Sequence, residues 1–527
     1  MSTLPAAIPE SAYGEIQAMV FRGWAKEYHF AAYVFVELPP EVALARAWLA
    51  QVEPEIAWAG DGYKVKTLVV AEGGVDARLQ LALTTKGLRR LGLAESAIRR
   101  FPLEAKVGME RRARVLGDAV DGDTEVPLDP ARLDDLPYLD ADKPQPCDWQ
   151  LDLRAADALL VLYARTAREL GELCAAQRAR VEQGGGRVVA EERSSEWKDR
   201  EPFGFSDGLS QPVVRGQPGK KDVPYLDAHN LINAGEILLG YRNEYDQDPQ
   251  SPHDDDGTDL GANGTFLVFR KLEQHVTEFW STFVKLGERH RGEPVSGGVI
   301  PENACHAAHW LAARAMGRWT NGNSVKLHPD APGTAMPREQ INHFLYDDDP
   351  AGARCPIGSH VRRANPRDQR GGPAEESWTV VKRHRVLRRG RAFGGAAVSP
   401  EDAMRGVQPS QPTGLLFVCL QASISHGFEF VQQIWNNNPG FHGMFQEPDV
   451  ITGPGGSRFT IPAEPVALRL SHPDKPVDGA PVPDPSKDPL GLPRFVTPRG
   501  GGYFFMPSRK LVDRLAKGRA GRGEAAG

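Results

Sequence analysis

The chain is poor in cysteine. Five residues, Cys147, Cys174, Cys305, Cys355 and Cys419, are scattered over 527 positions, odd in number and with no C-x-x-C pair. That pattern excludes a disulfide-stapled scaffold and a four-cysteine zinc module, and it sets the expectation of free thiols in a reducing cytoplasm. Long apolar runs are also missing. The run AAYVFVEL covers only 31–38, far short of the ~20 apolar residues that cross a bilayer as a helix. There is no basic excess: Lys and Arg number 63 against 69 Asp and Glu, which argues against a nucleic-acid partner. The opening MSTLPAAIPESAYGEIQ has neither the basic nor the apolar region of an export signal. No H-E-x-x-H occurs.

What is present fits a soluble globular protein, with 40% hydrophobic and 25% charged residues. The length exceeds one ordinary core, so two domains are expected. The 55 glycines and 43 prolines point to long, ordered loops. A strand at 31–38 is followed by a helix at 41–51. In ARLQLALT (77–84), Leu79, Leu81 and Leu83 share one face, and Arg78 and Gln80 the other. Thr84 or Thr85 caps a short helix, and Thr166 one reaching about residue 182 between strands at 156–164 and 187–192. Further strands read at 264–269 and 413–421, each followed by a helix, at 273–286 and 427–437. Two such passes suggest split βαβ, ferredoxin-like units. The expected division is 1–230, 231–515 and a disordered tail at 516–527. The acidic stretch DQDPQSPHDDDGTD (246–259) lacks the twelfth-position Glu of an EF-hand and reads as a solvated loop.

Residues 201–212, EPFGFSDGLSQP, fit two chemistries. G-x-S-x-G makes Ser206 a candidate nucleophile, but an elbow needs a buried strand before the serine and a helix after it. Here SSEWKDREP precedes it, and Pro212 and Pro218 follow. The same context suits a carboxylate: glycines at 204 and 208 let the backbone bend close to a flat ligand, and Phe203 and Phe205 exclude water around Asp207. Against this stands the ordinary use of Asp in a glycine-rich turn.

Three more stretches, CPIGSHVRRANPRD (355–368), HRVLRRGRAFG (384–394) and TGLLFVCLQASISHGFEFVQQIWNNNPGF (413–441), shift the balance. With EPFGFSDGLSQP they resemble, in order, the dye-decolourising peroxidases, and most closely their longer microbial and fungal-type members. The resemblance implies an α+β fold of two ferredoxin-like domains with antiparallel sheets and peripheral helices, and haem in the C-terminal half. It implies a peroxidase that reduces H2O2 through an oxoferryl intermediate and oxidises bulky aromatic or dye-like donors. The haem would be haem b, held non-covalently, since no C-x-x-C-H occurs. By the same resemblance His360 takes the iron, Asp207 the distal acid–base position and Arg388 the distal cation. Arg367 takes a propionate position, Leu415 and Phe417 face the peroxide pocket, and Asp449 is a candidate carboxylate behind the histidine. The family's proline is Ala392 here, and the adjacent Arg389 allows a one-residue slip.

The chemistry asks for these residue types. A neutral imidazole whose second nitrogen donates to a carboxylate is a more basic iron ligand. A carboxylate within hydrogen-bond reach moves the proton that peroxide cleavage requires. A fixed guanidinium stabilises the charge that develops on the departing oxygen. Arg362, Arg363 and Arg367 offer cations for two propionates, or simply a solvated basic face. Trp378 is a candidate surface radical site or plain packing. His306 and His309, beside Cys305, stand three apart without a partner pair, which favours a structural role. From a different class, a haem carrier with the same fold is the alternative, and retention of both Asp207 and Arg388 favours catalysis.

Overall fold

The computed structural model describes residues 3–61, 66–68, 75–119, 132–133, 135, 146–218, 230–338, 340–369, 374–463, 467–474 and 491–518. Its frame is one antiparallel sheet, ten-stranded among the described residues. The N-terminal strands are β1 (Phe30–Glu37), β2 (Val75–Leu83), β3 (Ala158–Ala164) and β4 (Arg187–Arg193). The C-terminal strands are β5 (Thr265–Gln274), β6 (Leu387–Arg388), β7 (Arg391–Phe393), β8 (Gly414–Gln421) and β9 (Val496–Met506). The order is β6-β8-β5-β9-β2-β3-β1-β4, with β7 also on β8 and the short strand Lys66–Leu68 on β2.

That order contains the same plan twice. Helix α1 (Val42–Val52) follows β1, and α2 (Ala167–Gln183) follows β3. The result is a β-α-β-β-α-β unit whose fourth strand lies beside its first. In the second half, α3 (Val276–His290) follows β5, a helical segment at 425–436 follows β8, and β9 returns beside β5. Both are ferredoxin-like arrangements, and the fold is α+β with antiparallel pairing. The halves meet at β9 and β2 through a single pair, Phe505 with Leu83.

Period-two alternation decides what each face touches. In β1, Ala31, Tyr33 and Phe35 enter one core, while Ala32, Val34 and Val36 pack under the helices. Tyr33 meets Phe269 of β5 at 5.2 Å between ring centroids, although three strands separate β1 and β5 in the sheet. The sheet therefore curls until the two halves share an inner core. In β8, Leu416, Val418 and Leu420 join that core, which leaves Leu415 and Phe417 on the outer face.

Local signals explain the helix starts. Thr84 accepts from Gly87 N, and Thr166 with Glu169 forms a reciprocal capping box. Arg78 and Gln80 point away from Leu79 and Leu81 and are nevertheless buried; Gln80 accepts from Met19 N and donates to Ala57 O. Two readings change. The helix after β8 is π-helical, in two stretches, Ser425–Glu429 and Val431–Asn436. At the C-terminus, α6 (Arg509–Lys517) runs past residue 515, held by buried Leu511, Val512 and Leu515; positions 519–527 of the expected tail lie outside the described residues.

Candidate active site

A cavity on the outer face of the C-terminal strands gathers most of the residues singled out by sequence. Its lining includes Asp207, His360, Arg388, Leu415 and Phe417. About 1790 Å³ separates its walls, part of it open to solvent. Alternation along β5 sends Arg270, Leu272 and Gln274 to it, and Val496 and Pro498 of β9 complete that wall.

Asp207 sits on a loop fixed from several sides. Gly204 and Gly208 have φ of +96° and +71°, a region that side-chain-bearing residues rarely adopt. A Cβ at Gly204 would also meet Pro400 Cγ at 2.8 Å. Phe203 stacks on Phe279 at 4.4 Å, Phe205 lies parallel to Trp280 at 6.1 Å, and Trp280 Nε1 donates to Phe203 O. These contacts anchor the loop on α3. Asp207 N donates to Asp199 O at 3.1 Å, and Asp207 Oδ1 accepts from Gly208 N at 2.5 Å. Ser206 Oγ donates to Thr320 O at 3.2 Å, and no histidine bonds it among the described residues. The hydrolase arrangement is absent there.

Glu201 is a cavity residue that sequence reading passed over. It accepts from Phe203 N, Phe205 N and Gln274 Nε2. Burial, with the nearby charge of Asp207 adding to it, pushes its carboxyl up to about 7 against those hydrogen bonds.

Arg388 ends β6 and is pinned by Gln211, whose Oε1 accepts from Arg388 N at 3.0 Å and whose Nε2 donates to Arg388 O at 3.2 Å. Its Nη2 donates to Leu209 O. The adjacent Arg389 turns away, donating to Met19 O and Val20 O at 2.7 Å each. Of the two adjacent arginines, only Arg388 lines the cavity.

Beyond α3 and the helix α4 (Ala304–Met316), His360 opens a short helix, α5 (His360–Ala364). His360 Nδ1 is 2.9 Å from Asp449 Oδ2, which fixes Nδ1 as the protonated nitrogen and leaves Nε2 free as a ligand. Asp449 is buried, and its Oδ1 accepts from Ile451 N and Thr452 N. Burial raises its carboxyl, but the imidazole beside it, their hydrogen bond and Arg363 hold it below the usual range.

Arg362, Arg363 and Arg367 are not on the cavity wall. Arg362 pairs with Asp349 at 3.0 Å, and Arg363 donates to Trp435 O at 2.7 Å. Arg367 lies 3.9 Å over the Phe344 ring and donates to the carbonyls of Asn342 and Phe344. The cations that do face the cavity are Arg270, Arg318, Arg385, Arg388 and Arg494. Arg270 is paired with Asp118 and Arg494 with Asp148. Among the described residues, Arg318 and Arg385 bind only neutral acceptors: Gly322 O, Ile341 O and Asn342 Oδ1 for the first, Asn230 Oδ1 and Ser210 O for the second. Burial, then the neighbouring guanidiniums Arg367 and Arg388, pull Arg385 down to about 9 and Arg318 to about 10. A buried cationic cluster without its counter-anion fits a dianionic ligand. Gln274, Asn436 and Asn365 also line the cavity, and Gln274 Oε1, Asn436 Oδ1 and both amide atoms of Asn365 have no partner among the described residues. Apolar walls, a free imidazole nitrogen and an unbalanced arginine cluster together fit haem with its two propionates.

The other sequence candidates lie elsewhere. Among the described residues no His, Cys, Asp and Glu cluster is arranged to hold a metal ion. His309 faces Glu401 at 3.6 Å and packs on Trp280, while His306 is exposed. No helix is long and apolar enough to cross a membrane among the described residues.

No family model matches the chain. The dye-decolorizing peroxidase AauDyP1 of Auricularia auricula-judae is 30% identical over 316 residues, covering 58% of this chain and 54% of that protein. The multifunctional dye peroxidase DyP2 of an Amycolatopsis species is 31% identical over 320 residues, covering 60% and 61%. The chain thus spans little more than half the length of these curated relatives. Among solved structures, a dye-decolorizing peroxidase in complex with 2,6-dimethoxyphenol matches with a TM-score of 0.68 at 23% identity, over 96% of this chain and 99% of that one. An ancestral D-type dye-decolorizing peroxidase matches with 0.69 at 24% identity, over 96% and 99%. The chain is thus similar in sequence to dye-decolorizing peroxidases over about three fifths of its length, and it shares the fold of their solved structures over nearly all of it.

Proposed function

We propose that this chain is a haem b peroxidase that reduces hydrogen peroxide with electrons from bulky aromatic or dye-like donors. The observation that carries the reading is one cavity lined by a carboxylate-backed imidazole, His360, and by Asp207 and Arg388. Bound haem supplies the iron that takes one peroxide oxygen and stores the oxidising equivalents. The remaining work belongs to the chain. His360 Nε2 would hold the iron, and the Asp449 carboxylate makes that imidazole a stronger donor. Arg318 and Arg385 would balance the propionates, with Arg367 adding positive charge behind them. Asp207 has Oδ1 occupied by Gly208 N–H, so Oδ2 would accept the proton from the near peroxide oxygen and return it to the far one. Arg388 would hold positive charge where that oxygen departs. Leu415 and Phe417 narrow the space and keep it dry. The five unpaired cysteines support a reducing, cytoplasmic setting.

The test begins with haem loading. The protein should show a Soret band, peroxide should shift it, and a phenolic or dye donor should restore it. His360→Ala should abolish haem retention. Haem binding followed only by bleaching would favour a haem carrier.

A further inference from the structure

A second space adjoins the cavity. A cleft of about 1000 Å³, part of it open to solvent, shares Asp207 and Arg388 with it. Its other walls come from residues 22–27, Trp197, Arg338 and residues 389–391. Six lining residues are cations: Arg22, Lys26, Arg338, Arg388, Arg389 and Arg391. Glu27 and Asp207 are the lining carboxylates. This excess runs against the chain's net charge of −6.

The cleft's charge is only partly neutralised. Arg389 and Arg391 donate to backbone carbonyls, which leaves their charge intact. The pairs Arg22–Glu27 at 3.7 Å and Arg338–Asp199 at 3.0 Å are exposed and weak. Lys26 Nζ has no partner among the described residues. Hydrogen peroxide is neutral, so a field of this sign does nothing to draw it in. An anion gains from it. Aromatic surface lies alongside: Trp24 and the half-buried Trp197 line the cleft, and Arg391 sits 5.3 Å over the Trp197 ring. The volume suits a small ring compound.

We propose that this cleft binds aromatic monocarboxylates, of which benzoate is the simplest, and that a bound carboxylate obstructs peroxide on its way to Asp207 and Arg388. The obstruction rests on the peroxidase reading; the binding does not.

Calorimetry on the haem-loaded protein with sodium benzoate tests the site, with neutral benzamide as the isosteric control. Benzoate should bind at least tenfold more tightly than benzamide, and 0.5 M salt should erode the difference, since the Debye length falls from about 10 Å at 0.1 M to about 3 Å at 1 M. Charge reversal by Arg22→Glu with Lys26→Glu should weaken benzoate at least tenfold and leave benzamide unmoved. Benzoate should slow the peroxide reaction competitively. Equal binding of the two compounds, or benzoate binding indifferent to charge reversal, would overturn the site. Charge-sensitive binding with no effect on peroxide would overturn the obstruction. A protein inert to peroxide would instead refute the peroxidase reading, and calorimetry would still decide the cleft.

Discussion

His360 Nδ1 and Asp449 Oδ2 stand 2.9 Å apart, across 89 residues of chain. The carboxylate serves two partners at once, because its other oxygen accepts two backbone N–H groups. Asp449→Asn keeps an acceptor and removes the charge. Haem should still bind, with the iron's reduction potential raised and activity lowered about 10- to 100-fold, as for other changes behind a metal-bound histidine. Asp449→Ala also strands the two N–H groups, at about 1–3 kcal/mol each. Spectroelectrochemistry and thermal melting separate the two effects.

Asp207 and Arg388 are expected to affect rate without affecting haem retention. Asp207→Asn removes the proton acceptor and should slow the peroxide-induced Soret change by about 10²–10⁴. Arg388→Leu should slow it by about 10²–10³. Stopped-flow absorbance at saturating haem gives both numbers. Normal rates in either variant would reassign that residue.

Arg385 offers a prediction with opposite signs in the two states. Its buried guanidinium binds neutral oxygens and faces other arginines. In the haem-free protein that is a cost, so Arg385→Met should raise apoprotein stability, by about 1–3 kcal/mol on the precedent of buried charges replaced by apolar groups. In the loaded protein it should remove a propionate partner and weaken haem retention by about tenfold or more. Denaturant melts of the apoprotein and haem transfer to a scavenger protein read the two arms. A fall in apoprotein stability would mean that the arginine is structural.

Much of the frame is legible because its signals are local. Thr166 and Glu169 announce a capping box, and alternating Leu79, Leu81 and Leu83 announce a strand. The loop of Asp207 is readable because its glycines and prolines forbid the helix a nucleophile elbow needs. The arginine cluster is not readable from contiguous sequence. Arg318 and Arg385 are 67 positions apart, and only tertiary packing brings them to one wall. Arg270 carried a usable signal: it is the one charged residue on a face that also holds Phe266, Val268 and Leu272. Motif adjacency pointed instead to Arg362 and Arg363, but a helix turns consecutive residues about 100° apart, so His360 faces the cavity and they face the core.

The pH dependence of stability follows from buried carboxyls. Burial lifts Glu236 from an ordinary 4.5 to about 8, with the charge of Glu244 adding to it against a backbone hydrogen bond. Glu201 rises to about 7, and Glu447 is raised too, again chiefly by burial. In each case the folded state holds a proton that the unfolded state has released. The contribution of Glu201 and Glu236 is fully present below about 4.5 and is lost as pH rises through about 7 for the first and about 8 for the second, and Glu447 acts in the same direction. His309, lowered by burial, acts in the other direction, but only up to its ordinary 6.5. Between pH 6.5 and 8 the carboxyls act without that opposition. The apoprotein's melting temperature should fall over this interval by a few degrees, given about 2–4 °C per kcal/mol for sizeable domains. Glu236→Gln keeps an acceptor for Glu244 N–H and cannot ionise, so its curve should be shallower and should cross above that of the parent protein near pH 8. Parallel curves for the two proteins would show that Glu236 ionises in the folded state at an ordinary pH.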